Sequence, residues 1–343
     1  MITVLLTDGE FTGMIRSLRQ REDIRIIGFV FSENAAHSAL LDRSYIAPAW
    51  NSPEYVPFLI DVIKNEDIDY VFPVVTRSLE LMASIEDEIR KKTNAVIVTP
   101  SYEAVSIANN KAKLYEALKK DPLTACYITE YEVADSIGRL KDKIRVPCVI
   151  KPVIGENREG FFRVVSDDIW QKAFLEGRSD GKICPSLLDK MEIEHKFVEP
   201  RLIMPYLPGK EWDADLLVIE DRIISATVRQ NLDMFGGLSA CTVTCDEPHI
   251  LEACRKIVSS LGLNGLCCIS FKETKEGDLK LLEINPRAMG SIFVSAMGGN
   301  NLPLRLLSIL CGEDDDRAFR QTPSGIRASL YYDIIRMPEG RVE

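Results

Sequence analysis

The chain has 343 residues, of which 46% are hydrophobic and 27% charged, and its formal net charge is −10. This composition is typical of a globular protein with two or three packed units, and it excludes a disordered or fibrous chain. The basic residues are dispersed in an acidic chain, so a nucleic acid would meet general repulsion and is not an expected partner.

No apolar run approaches the ~20 residues that a membrane-spanning helix needs, and the opening MITVLLTDGE lacks the basic start of a signal peptide. We therefore expect a cytoplasmic protein with no membrane partner. The nine cysteines are scattered and the three histidines are isolated. This spacing predicts reduced, mostly buried thiols and no zinc site.

The first hundred residues alternate apolar stretches with helical ones. ITVLL, IRIIGFVF, YVFPVV and AVIVTP have the composition of strands, and SLELMASIEDEIRKK has the periodicity of a helix. Continuous apolar strands separated by helices predict a doubly wound parallel sheet, which we place in a domain at residues 1–104. The TDGEFTG turn lacks the G-x-G-x-x-G pattern, which argues against a nicotinamide dehydrogenase.

A second segment, residues 105–200, begins with the helix NNKAKLYEALKK, which Asn109 or Asn110 can cap. The strand RVPCVIKP follows and ends at Lys151. A glycine-bearing loop then leads to the returning strand FRVV. Two strands joined in this way predict a hairpin that folds over a ligand.

The third segment, residues 201–343, begins with RLIMPYLPGKEWDADLLVI, followed by a turn and another strand, and predicts an antiparallel meander. A helix with Asp246 as its cap and Gly262 as its stop follows. The stretches GLCCISF, LKLLEIN and IRASLYYDIIR predict further strands.

The strand LKLLEIN starts with leucines and finishes on polar residues. Strict alternation puts Glu283 and Asn285 on one side, together with Leu281. A carboxylate and an amide oxygen at one point suit Mg²⁺, which keeps free positions for waters and phosphates. Arg287 follows a proline that ends the strand, and it suits a bidentate grip on a phosphate or carboxylate.

Other residues have the chemistry of a nucleotide site. Lys111 opens a helix and Lys151 closes a strand, so both could meet phosphates. Met204 and Leu207 offer an apolar seat for a flat base, and Glu211 could accept hydrogen bonds from a ribose.

The order of these features resembles the ATP-grasp superfamily, particularly the branch of the carbamoyl phosphate synthase large subunit and biotin carboxylase. The E-x-N-P-R ending at residues 283–287 is the most specific mark, and the resemblance covers nearly the whole chain. It implies a mixed α/β and α+β fold, in which a doubly wound pre-ATP-grasp domain precedes one two-lobed ATP-grasp unit.

The resemblance also implies ATP and Mg²⁺ as cofactors, with Mn²⁺ as a substitute, and it assigns roles to single residues. The residues implied to bind ATP are Lys111, Lys151, Gly155, Arg158, Pro205, Leu207 and Glu211. The implied metal ligands are Glu283, Asn285 and Ser270. Arg287 and Lys151 are the implied catalytic residues, acting on the transferred phosphate.

Three features depart from the family pattern, of which the least important is Met204 in place of a commonly polar hinge residue. Asn157 and Arg158 stand in the loop where glycine and serine are usual, so backbone N–H groups approach a phosphate less easily. Ser270 stands where an acid or glutamine usually binds the metal, which would weaken a second Mg²⁺ site.

These features predict a ligase that activates a small-molecule carboxylate as an acyl-phosphate for attack by an amine or thiol. Arg229, Gly237 and Ser239 could receive an anionic substrate, and a structural turn is the alternative for that segment. An ATP-binding sensor or interaction protein without turnover also remains open, as does a homodimer.

Overall fold

The computed structural model describes residues 1–7, 12–155, 160–178, 181–187, 200–235, 238–331 and 333–337. Its three sheets follow one another along the chain. No helix in the described ranges is long and apolar enough to cross a membrane.

The first sheet is parallel throughout and has the strand order β3-β2-β1-β4-β5. Its strands are β1 (Ile2–Thr7), β2 (Ile24–Val30), β3 (Arg43–Ile46), β4 (Tyr70–Pro73) and β5 (Val96–Ile97). The segments between them form α1 (Thr12–Leu18), a 3₁₀ helix (Ala36–Leu40), α2 (Tyr55–Asn65) and α3 (Thr76–Thr93). Val4 and Leu6 pack into one apolar cluster and Leu5 into another, so both faces of the sheet are covered and the doubly wound prediction is confirmed.

Two helices and a 3₁₀ turn link the first sheet to the second. They are α4 (Tyr102–Ala108), α5 (Lys111–Lys120) and the 3₁₀ turn Ala125–Tyr127. The side chain of Asn110 caps α5 by accepting hydrogen bonds from the backbone of Ala112 and Lys113, which decides between the two predicted caps. Because Lys111 is the first residue of α5, this cap also fixes the position of the Lys111 backbone.

The second sheet has the order β6-β10-β7-β8-β9. Its strands are β6 (Glu132–Ala134), β7 (Cys148–Pro152), β8 (Phe162–Val164), β9 (Lys182–Ile183) and β10 (Arg201–Pro205), and its helices are α6 (Ile137–Lys143) and α7 (Asp167–Leu175). Strands β7 and β8 pair antiparallel, as the predicted hairpin requires.

The third sheet has the order β15-β14-β11-β12-β13-β17, with β16 beside β12. Its strands are β11 (Glu211–Ile219), β12 (Arg222–Phe235), β13 (Leu238–Thr244), β14 (Gly265–Glu273), β15 (Leu279–Asn285), β16 (Arg320–Gln321) and β17 (Arg327–Ser329). Its helices are α8 (Pro248–Leu261), α9 (Phe293–Met297) and α10 (Leu302–Leu310).

Two details differ from the predicted elements. Strand β10 does not open the meander: it pairs with β6 and β7 in the second sheet, and residues 206–210 separate it from β11. Helix α8 begins after Glu247 without a side-chain cap, since Pro248 occupies its first turn, so Asp246 is not its cap. Gly262 does end the helix in the left-handed conformation.

A β-bulge interrupts β15 just before its polar end. Phe271 pairs with Leu281, whereas Ser270 pairs with Glu283, so Leu282 is an extra residue without a partner on β14. The predicted alternation is therefore wrong at this point, since the bulge moves Glu283 to the face opposite Leu281. Leu281 packs in the apolar cluster, and Glu283 lies on the polar face.

The predicted division at residues 104 and 200 remains a proposal. The first sheet lies within residues 2–97, the second within 132–205 and the third within 211–329.

Candidate functional site

Two lysines from separate segments lie beside Glu283. The Nζ of Lys111 is 3.4 Å from Glu283 Oε2 and donates a hydrogen bond to the carbonyl oxygen of Gly155 at 3.0 Å. Lys151 comes from β7 and donates to the carbonyl oxygen of Leu282 at 2.7 Å. Both lysines are buried, which is unusual for this side chain and indicates that the surrounding structure holds them in place.

Tyr115 contacts both the β15 bulge and Lys151. Its hydroxyl lies 2.8 Å from the carbonyl oxygen of Leu281 and 3.0 Å from that of Leu282, the carbonyls at the bulge. The Nζ of Lys151 lies 5.7 Å from the centre of its ring. Burial raises the pKa of Tyr115 above its usual range, so the hydroxyl stays a donor. Helix α5 thereby connects the bulge to both lysines.

The charges of the two lysines and of Glu283 shift the pKa values of Lys151 and Glu283. Burial and the nearby charge of Lys111 lower the pKa of Lys151 to about 7. Burial would raise the pKa of Glu283, but the positive charges of Lys111 and Lys151 outweigh it and lower that pKa below its ordinary value. Glu283 is therefore an anion at neutral pH, and Lys151 is poised to take up a proton when an anionic ligand arrives.

The polar end of β15 presents oxygen donors of the kind that Mg²⁺ prefers. Asn285 Nδ2 lies 3.4 Å from Glu283 Oε1, so these two side chains share a face, as predicted. Ser270 lies directly across the ladder from Glu283 on the same face. The described residues contain no group of three His, Cys, Asp or Glu side chains that could hold a metal. One carboxylate with neutral oxygens still fits Mg²⁺, which needs few protein ligands.

The predicted base and ribose contacts lie at the junction of the second and third sheets. Pro205 is the last residue of β10, and Met204 and Leu207 are both buried in the shared apolar cluster. Glu211 opens β11, and its Oε2 is 2.7 Å from the Nζ of Lys272. Its carboxylate is thus fixed in place, with Oε1 left to accept a further hydrogen bond.

Arg287 points toward the first sheet. Its Nε donates to Thr76 Oγ1, at the start of α3, at 3.0 Å. It also lines a small cavity with Phe72 and Thr99, which lie at the carboxyl ends of the parallel strands. Thr99 Oγ1 is buried there and has no hydrogen-bond partner among the described residues. This edge is where open α/β sheets receive ligands.

Arg229 does not present a free charge to an anion. It is fully buried, its Nε donates to Asp215 at 2.9 Å, and its Nη1 is 3.0 Å from Asp213. Ser239 lies 3.5 Å from the same Asp213 oxygen. Two carboxylates already neutralise this guanidinium, so its predicted substrate role stays a prediction.

Two predicted residues, Arg158 and Gly237, lie outside the described residues. The flanking Gly155 is described, and its carbonyl oxygen accepts the hydrogen bond from Lys111. The loop's predicted role at a phosphate stays a prediction.

Asp213 and Asp215 on β11, the acidic partners of Arg229, were not predicted from the sequence. Asp213 and Asp215 follow Glu211 at intervals of two, so all three share one face of the strand. The letters EWDAD carried this signal, since charged residues alternating with apolar ones predict a polar face. Tyr115 was missed as a site residue because its periodicity indicated only a core position.

Two family models match the chain. Residues 5–97 match the model "PylC-like, N-terminal domain", and residues 197–332 match "ATP-grasp in the biosynthetic pathway with Ter operon". The first match covers most of the first sheet, and the second covers β10 of the second sheet and the whole third sheet.

Curated relatives match at low identity. A formate-dependent phosphoribosylglycinamide formyltransferase of Methanocaldococcus jannaschii is 29% identical over 174 residues, which are 50% of this chain and 42% of the relative. The arginine-specific carbamoyl phosphate synthase large chain of Bacillus subtilis is 22% identical over 284 residues, which are 78% of this chain and 25% of the relative. The chain thus spans less than half the length of either relative.

Solved structures share the fold. An N5-carboxyaminoimidazole ribonucleotide synthetase, solved as an ADP complex, superposes with a TM-score of 0.68 over 95% of this chain and 80% of that one, at 13% identity. At this identity the similarity establishes the fold.

Proposed function

Because the chain belongs to the ATP-grasp superfamily, on the side of its carbamoyl phosphate synthase and biotin carboxylase members, we propose that it is an ATP- and Mg²⁺-dependent ligase. It activates a carboxylate as an acyl-phosphate, and an amine then takes up the acyl group. One curated relative is named a formate-dependent formyltransferase, and one solved neighbour is named an L-amino acid ligase.

The observation that carries the proposal is that two buried lysines meet at one end of β15, Lys111 at the Glu283 carboxylate and Lys151 at the carbonyl of Leu282. Lys111 comes from a helix, Lys151 from the second sheet and Glu283 from the third. They are far apart in the sequence, so only the tertiary fold brings them together. Lys111 lies beside this carboxylate and Lys151 can take up a proton near neutral pH, so the site can accept additional negative charge. A triphosphate would supply this negative charge, and Glu283 would hold Mg²⁺ beside it.

Positioning and charge account for the first step. A carboxylate oxygen of the substrate attacks the γ-phosphorus, the bond to the β-phosphate oxygen breaks, and ADP leaves. Lys111 and Lys151 hold the phosphates, and Lys151 takes up a proton as they bind. Mg²⁺ at Glu283 and Asn285 would neutralise charge on the transferred group. No covalent nucleophile on the protein is needed.

The Arg287 guanidinium is suited to bind the carboxylate substrate. The guanidinium lies between the metal-binding strand and the carboxyl ends of the first sheet. A carboxylate gripped there would be near the end of β15. In the second step the amine attacks the carbonyl carbon, and phosphate departs with one oxygen that was in the carboxylate.

A nucleotide-binding protein without turnover is the second candidate. One observation favours it: Ser270 lies across from Glu283 at the position where an acid would complete a second metal site. Such a protein would bind ATP at the same residues without releasing ADP.

The test follows both ADP and an oxygen atom. ADP release is measured with panels of carboxylates and amines, and the active pair is repeated with an ¹⁸O-labelled carboxylate. We expect ADP only when a carboxylate is present, and one ¹⁸O atom in the released phosphate. Thermal stabilisation by ATP with no ADP across the panel would favour the binding protein. Released phosphate without ¹⁸O would exclude the acyl-phosphate.

A further inference from the structure

Ser270 makes a hydrogen bond that determines which way its hydroxyl points. Its Oγ is 2.6 Å from Asp213 Oδ1, one strand away on β11. The other oxygen of Asp213 accepts from three donors: Arg229 Nη1 at 3.0 Å, Asn231 Nδ2 at 2.9 Å and, more distantly, Ser239 Oγ at 3.5 Å. A carboxylate has no proton to donate, so the bond runs from the serine to the aspartate.

This direction leaves the serine oxygen with lone pairs and no proton to offer. Ser270 stands between Asp213 and Glu283 on three adjacent strands, and all three side chains are on the same face. The hydroxyl proton faces Asp213, so the oxygen can act only as an acceptor toward anything bound beside Glu283. An oxygen that accepts only is what a cation requires.

Asp213 has a buried cation as its partner. Burial alone would lower the pKa of Arg229, but the carboxylates of Asp215 and Asp213 raise it above its usual value. The guanidinium is therefore a permanent cation. Asp213 therefore links this cation to the polar face, because one of its oxygens contacts Arg229 and the other contacts Ser270.

This inference rests on the proposed function. We propose that Ser270 and Asp213 together replace the acidic metal ligand that this position lacks. Ser270 Oγ binds the cation. Asp213 is a positioning residue that orients the hydroxyl and makes its oxygen more electron-rich by accepting the proton. The departure at Ser270 is then compensated on the neighbouring strand.

The test measures the metal and not turnover. Binding of Mn²⁺ is followed by the electron paramagnetic resonance signal of the free ion, in the full chain saturated with ADP. Ser270→Ala and Asp213→Asn should each weaken Mn²⁺ binding by about 10- to 100-fold, the range for lost partners of metal ligands. Because the two residues act as a unit, the double variant should bind no more weakly than the weaker single one.

A matched control separates this effect from damage to the buried ion pair. Asp215→Asn also removes a carboxylate from Arg229, but Asp215 lies opposite Cys268 and does not touch Ser270. It should leave Mn²⁺ affinity unchanged. Rescue provides a second readout: adding Ser270→Glu to Asp213→Asn returns a carboxylate to the metal side and should restore the affinity. Thermal melts identify any variant that does not fold.

Each other outcome overturns a specific claim. Unchanged Mn²⁺ binding in Ser270→Ala or in Asp213→Asn removes that residue from the metal site. An equal loss in Asp215→Asn, or no rescue by Ser270→Glu, shows that Asp213 acts only through the fold. If the unaltered protein binds neither ADP nor ATP, the proposed function itself fails, and this proposal fails with it.

Discussion

At the scale of single residues, Lys151 makes the site sensitive to pH. Its pKa of about 7 lies below the ordinary value, and the cause is burial, then the charge of Lys111. Between pH 7 and the ordinary lysine pKa of about 10.4, the unfolded chain binds the proton and the folded chain does not. The free protein should therefore gain stability as pH rises through this window, whereas an anionic ligand favours the protonated form.

This gives a prediction for ATP binding. Above pH 7 the protein must take up a proton as ATP binds, so affinity should fall as pH rises from 7 to 9. Isothermal titration at pH 8 in two buffers of different ionisation enthalpy should show an uptake approaching one proton. Lys151→Arg keeps the charge at every pH, so its uptake should vanish. Equal uptake in both proteins would remove Lys151 from the phosphate contacts.

Glu283→Gln tests the metal ligand without changing its shape. Mg²⁺-dependent ADP release should be lost and Mn²⁺ affinity should fall at least about tenfold. The Glu283 side chain is 38% exposed, so losing its pair with Lys111 should change the free energy of unfolding by only about 1 kcal/mol or less. Urea unfolding checks the second part. Unchanged metal affinity would place the cation elsewhere.

Chemistry-bearing residues were predictable where a strand or helix end fixes them. Glu283 and Asn285 were found because they close an apolar strand, and the structure brings them together with Lys111 and Lys151. The burial of Arg229 was not predictable, since its partners Asp213 and Asp215 lie on another strand, and only the pairing register shows that they meet.

At the scale of elements, the bulge in β15 determines which face of the sheet Glu283 lies on. Without the extra residue Leu282, alternation would turn Glu283 into the apolar cluster. The sequence could not show this, because LKLLEIN fits either register. Similarly, β10 had the composition of a meander strand, and only long-range pairing with β6 and β7 assigns it to the second sheet.

Tyr115 should hold the bulge in place. Tyr115→Phe removes the buried hydroxyl that faces the carbonyls of Leu281 and Leu282, and it should destabilise the protein by about 1–3 kcal/mol, the cost of leaving buried groups unsatisfied. ATP affinity should fall too, because Lys151 depends on the same bulge. Tyr131→Phe is the control, since that ring packs edge-on against Tyr115 from a less buried position. Equal melting temperatures of the two variants would contradict this role.

At the scale of the whole molecule, Arg287 connects the third sheet to the first. Its contact with Thr76 places the guanidinium at the edge where the parallel strands end. The doubly wound domain was predictable from its strand spacing. Its contribution to the site was not, because Thr76 and Thr99 carry no motif in the sequence.

Arg287→Lys tests whether Arg287 binds the carboxylate substrate or the nucleotide. A lysine keeps the charge but loses the bidentate grip, so the kcat for carboxylate-dependent ADP release should fall by about 10²-fold or more, and ATP affinity should not change. Arg327→Lys, at an exposed arginine on β17, is the control. A fall in ATP affinity without a fall in kcat would move Arg287 to the nucleotide.

The central claim is that Lys111, Lys151 and Glu283 meet around a triphosphate with its metal ion. Isothermal titration of ATP into the full chain, with and without Mg²⁺ and with Glu283→Gln, tests it most directly. We predict one ATP per chain, with binding at least about tenfold weaker when either Mg²⁺ or the Glu283 carboxylate is removed. ATP that does not bind, or that binds equally well in all three conditions, would contradict the claim.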